Sequence, residues 1–73
     1  MRTHGPVEIY RDPDGGTAMI RFDPNGLWYM DVVDAKGRRI RTRDPFISLK
    51  GARISLGKLT GGKMKLEGSF DDG

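Results

Sequence analysis

Asp12-Pro13-Asp14-Gly15, Asp23-Pro24-Asn25-Gly26 and Asp34-Ala35-Lys36-Gly37 are three copies of one phrase, Asp-x-x-Gly, set eleven residues apart. Each reads as a type I turn. The aspartate accepts hydrogen bonds from the turn's own amides, proline presets the second position in two of the copies, and glycine supplies the left-handed residue of a three-residue hairpin loop with a bulge. The intervening runs have ordinary strand length. The repeat therefore predicts an antiparallel meander with strands Val7–Arg11, Thr17–Phe22, Leu27–Val33 and Arg38–Arg43.

The turn geometry also predicts register. Pairing Asp23 with Leu27 sets Phe22 opposite Trp28, Ile20 opposite Met30 and Ala18 opposite Val32; pairing Asp34 with Arg38 sets Val32 opposite Ile40 and Met30 opposite Thr42. Side chains alternate along a strand, so these pairs share one face, the expected core. In the first hairpin an identical loop would turn Glu8 and Tyr10 inward and expel Val7 and Ile9. The additional Gly16 is read as a one-residue register shift that reverses this. It would pair Val7 with Phe22 and Ile9 with Ile20, leaving Tyr10 on the outer face.

Asp44-Pro45 interrupts the rhythm, and glycines follow at 51, 57, 61, 62 and 68. Alternation in Ile47–Lys50, Ala52–Leu56 and Lys63–Glu67 predicts two or three short strands, with no helix, closing the meander into a small all-β barrel or sandwich. The expected layout is a flexible terminus over residues 1–6, one domain over 7–70 and a frayed acidic tail over 71–73.

With 73 residues and no cysteine, the chain has no disulfide to offset a small core. The lack of cysteine suits a reducing compartment, and the expected location is the cytoplasm of a cell or an infected host cell. No apolar run approaches the about 20 residues of a membrane span. With His4 as the one histidine, no metal or other cofactor is expected. Asp12-Pro13-Asp14-Gly15 lacks the later carboxylate a calcium loop requires. Gly57-Lys58-Leu59-Thr60-Gly61-Gly62-Lys63 matches a phosphate-loop spacing, but Met64 replaces the metal-binding hydroxyl, and its glycines read instead as a hairpin turn between Leu59 and Met64. No nucleophile with a base partner is evident, so the chain is not expected to be an enzyme.

Charge is the clearest functional signal. The net charge is +3, yet residues 36–65 hold ten basic and one acidic side chain. In the predicted register Arg39, Arg41 and Arg43 stand about 6.8 Å apart on one strand face, close to the spacing of phosphates along an extended single strand. Tyr10 and Tyr29 are expected beside them as stacking surfaces, with Lys36 and Arg38 at the hairpin tip and Lys50, Arg53, Lys58, Lys63 and Lys65 extending the field. The same register sets Asp31 opposite Arg41 and Glu8 opposite Arg21, as on an ordinary solvated sheet. The leading expectation is a small basic β-domain that binds nucleic acid, single-stranded or RNA. The alternative is a protein-binding or assembly module, such as an inhibitor or structural subunit of a virus or mobile element, presenting the same basic face to an acidic protein. Open edges at the first and last strands allow a homo-oligomer.

Overall fold

The computed structural model of the chain describes residues 6–71. The element order is β1 (Pro6–Arg11), β2 (Thr17–Phe22), β3 (Trp28–Val33), β4 (Arg39–Ile40), α1 (Leu49–Thr60) and β5 (Lys65–Asp71). The five strands form one antiparallel sheet in the order β4-β3-β2-β1-β5. Pro6 and Asp71, expected in the terminal tails, belong to strands. The remainder of both tails, including His4, lies outside the described residues.

All three Asp-x-x-Gly turns form, and all three are alike. Asp12, Asp23 and Asp34 each donate their amide to the carbonyl four residues on, at 2.8–2.9 Å, and Gly15, Gly26 and Gly37 each donate back to the aspartate carbonyl. The three glycines have φ of 103°, 88° and 82°, where a Cβ is strained. Register across β2, β3 and β4 follows: Phe22 faces Trp28, Ile20 faces Met30, Ala18 faces Val32, and Val32 faces Ile40.

The identical first turn corrects the expected register of β1. Glu8 pairs with Ile20 and Tyr10 with Ala18, so both point into the core, while Val7 and Ile9 take the outer face opposite Arg21 and Met19. Gly16 shifts nothing. It is buried, and a Cβ there would stand 3.1 Å from the Val33 carbonyl oxygen, so a side chain would crowd the neighbouring backbone.

A second correction concerns the C-terminal half. Residues 49–60 form a helix on one face of the sheet, so the sheet is open, not closed into a barrel or sandwich. Ser48 caps the helix, its hydroxyl accepting from the Gly51 amide, and Gly61 ends it at φ 66°, with the Gly62 amide reaching back to the Gly57 carbonyl. Leu49, Ala52 and Leu56 sit at helical spacing and face the core, the latter two buried. The expected short strands at 47–50 and 52–56 do not exist. The last strand forms further along than expected and pairs with β1, with a bulge between Ile9 and Tyr10.

The core consists of Tyr10, Ala18, Ile20, Met30, Val32, Ala52 and Leu56, with Trp28, Ile40, Phe46, Leu49 and Met64 packed against it. Phe22 and Trp28 pack against each other at its margin in a tilted contact, ring centroids 4.8 Å apart. Glu8 is inserted into this core at 5% exposure. Its carboxylate accepts a 2.7 Å bond from the Tyr10 hydroxyl and a two-nitrogen contact from Arg53 on the helix, of which the Nε bond is 3.0 Å. Hydrogen bonding to Arg53 holds the Glu8 carboxyl below its ordinary range despite burial, and burial beside this carboxylate pushes the Tyr10 hydroxyl up. This triad ties β1 to α1.

Candidate nucleic-acid interface

The predicted arginine row is only partly a strand. β4 ends at Ile40, so Arg39 sits on the sheet's outer face, while Arg41 and Arg43 lie in an irregular segment. Side chains replace the ladder there. The Thr42 hydroxyl lies 3.2 Å from the Met30 carbonyl oxygen and 2.5 Å from Asp44 Oδ1, and Asp44 Oδ2 accepts from the Met30 amide at 3.5 Å. The Asp44–Pro45 peptide is cis. Phe46 then rejoins β3, exchanging two 2.8 Å bonds with Trp28. Between Ile40 and Phe46 the chain spends five residues where β3 spends three, so residues 41–45 bow out of the regular ladder.

Lys36, Arg38, Arg39, Arg41 and Arg43 are all exposed along this sheet edge. Arg38 is tied to Asp34 at 3.2 Å, and the amides of Arg38 and Lys36 hold the Asp34 carboxyl below its ordinary range. Among the described residues, Lys36, Arg39, Arg41 and Arg43 have no ion-pair partner. The expected pairs Asp31–Arg41 and Glu8–Arg21 are not formed. Of the outlying cations, Arg53 is committed to Glu8 and Lys63 lies 3.9 Å from Asp14, whereas Lys50, Lys58 and Lys65 are exposed without such a contact among the described residues.

The tyrosines separate. Tyr10 is 8% exposed under the helix and is removed from the interface, because the first turn sets β1 in the opposite register. Tyr29 lies on the outer face, one strand in from β4. Arg21 covers it at 5.0 Å from the ring centroid, and the Asn25 amide donates to its hydroxyl at 3.2 Å. The rest of that uncovered face is mixed. Arg39, Val33, Thr17, Arg11 and Lys65 form one cross-strand row, and Asp31, Met19, Ile9 and Gly68 the next. Phe70, opposite Val7, is 61% exposed there. Sequence reading missed Phe70 because the final strand was placed too early; alternation from Gly68 is the signal that would have found it.

The phosphate-loop spacing at 57–63 falls on the end of α1 and its glycine cap, so it follows a helix instead of opening one, and the glycines form no hairpin. Among the described residues no helix is long and apolar enough to cross a membrane. No protein-family model matches the chain, and neither does any curated protein or solved structure.

Proposed function

We propose that this protein binds single-stranded nucleic acid, DNA or RNA, along its basic β4 edge. The observation that carries this reading is the row of exposed cations within residues 36–43, four of them free of ion pairs among the described residues. Arg39, Arg41 and Arg43 contact phosphates, Lys36 and Arg38 extend the field at the hairpin tip, and Tyr29 with its Arg21 partner offers a flat surface for a base. The bowed edge suits a flexible strand, whose phosphates can follow an irregular line of guanidiniums. Binding is phosphate-driven with weak sequence preference.

Three phosphate contacts to a single strand predict a slope of about −2 in log affinity against log salt, or roughly 20-fold weakening between about 50 and 200 mM. Titration of labelled oligonucleotides at these two concentrations tests it, with the triple variant Arg39→Ala, Arg41→Ala, Arg43→Ala as control. Absence of salt-dependent binding at micromolar protein rejects the reading.

The uncovered outer face, with Val7, Ile9, Met19, Val33 and the exposed Phe70, favours a second reading as an assembly or protein-binding module. A monomeric elution mass together with salt-dependent oligonucleotide binding would remove its support.

A further inference from the structure

Beside the basic edge, on the helix side of the sheet, lies a groove of about 440 Å³ lined by Arg43, Phe46, Ile54, Ser55, Lys58 and Leu59. Two cations stand on the lining and no carboxylate does. Ile54 and Leu59 remain 52% and 40% exposed although their helix has a buried face available. Gly51 leaves part of the wall without a side chain, and Ser55 contributes one hydroxyl. The volume lies within the range of small-ligand sites.

A second groove, of about 300 Å³, makes the comparison. It is lined by Arg11, Asp12, Lys65 and Glu67 with Pro13 and Leu66, and its Arg11 and Glu67 already neutralise each other at 2.7 Å. It offers an anion no net attraction. The first groove does, and Arg43 belongs both to it and to the basic row along the edge.

We infer that this groove is a nucleotide subsite. One base of a bound strand lies against Phe46, Ile54 and Leu59, the Ser55 hydroxyl meets its polar edge, and its phosphate sits between Arg43 and Lys58. The inference rests on the nucleic-acid reading above and extends it from the sheet edge onto the helix. A base provides the flat apolar body and the attached phosphate the anion, which is the combination this lining complements.

The test follows backbone amide shifts of Gly51, Ser55 and Leu59 while an oligothymidylate is added to the intact chain. Its affinity is measured in parallel for the wild type, for Ile54→Ser/Lys58→Glu and for Arg39→Ala/Arg41→Ala. The expected result is a shift at all three amides, and about tenfold weaker binding by the groove variant with a shallower salt slope. Both substituted groove side chains are exposed, and the amide measurement on the wild type stands independently of either variant. If the oligonucleotide binds, the edge variant weakens it, and the groove amides and groove variant show no change, the subsite is overturned while the edge reading survives. If no oligonucleotide binds, both fall. If a poly-glutamate peptide shifts the groove amides as strongly as the oligonucleotide, the groove belongs to an acidic protein partner and the inference is overturned.

Discussion

On the helix side of the sheet, Ile20, Met30 and Val32 are sealed to 2% exposure or less, whereas Val7, Ile9, Met19 and Val33 on the other side stay half-exposed. The two sets come from the same strands and differ only in which way the alternation points them. Burial against α1 turns one set into a core. The other set is left beside Arg21, Arg39 and Tyr29 as a surface available to a partner. Apolar content alone therefore does not identify the stabilising face of a small sheet; what covers it does.

Five substitutions probe this difference. Ile20→Ala, on the covered face, should cost about 3 kcal/mol, because the site is closed on all sides and a cavity remains. Chemical denaturation would measure it, and such a loss is a large part of the stability of a domain this small.

Arg53→Ala comes next, at about 2 kcal/mol. It strands the buried Glu8 with the Tyr10 hydroxyl alone, though the half-exposed position of Arg53 moderates the cost. The triad also predicts a pH dependence. The Glu8 carboxyl is lowered in the folded state from its ordinary 4.5. Its contribution is thus complete above that value and disappears as pH falls through the folded pKa. Thermal unfolding followed from neutral to acid pH should show this loss, and Glu8→Gln should flatten that part of the profile. An unchanged profile would mean that the Glu8–Arg53 contact does not form in solution.

Ile9→Ala repeats the first change on the open face and should cost about 1 kcal/mol or less. A cost equal to that of Ile20→Ala would erase the contrast and show that the outer face is covered in solution, by a second copy. Smallest is Gly57→Ala, in the helix that does the covering. A Cβ there meets nothing within 4 Å, so the change should stabilise by about 0.5–1 kcal/mol through helix propensity. A destabilised variant would show that this turn of α1 is not helical.

The turns and the registers of β2, β3 and β4 were legible because they are local. An aspartate, a glycine and the amides between them settle each loop, and the loop settles the pairing on either side. In the first hairpin the identity of the loop outweighs apolar burial of Val7 and Ile9. The partner that makes an inward Glu8 tolerable, Arg53, lies 45 residues away. Ser48, Gly61 and the spacing of Leu49, Ala52 and Leu56 did encode the helix. Gly51 and Gly57 inside it, and the competing alternation of Ile54 with Leu56, obscured it.

The candidate site divides the same way. That Lys36, Arg38, Arg39, Arg41 and Arg43 crowd one stretch is plain from the residues themselves. That Arg41 and Arg43 leave the ladder, that Tyr10 is buried and that Arg43 and Lys58 line one groove depend on the side chains of Thr42 and Asp44 and on where α1 lies. By itself, then, the sequence determined the three turns, the meander between them and the basic character of its fourth segment, since these need only neighbours in the chain. The tertiary structure decided which sheet face the helix covers, how an inward Glu8 finds its partner in Arg53 and, among the described residues, which cations stay unpaired, because those outcomes depend on contacts that exist only once distant segments have packed.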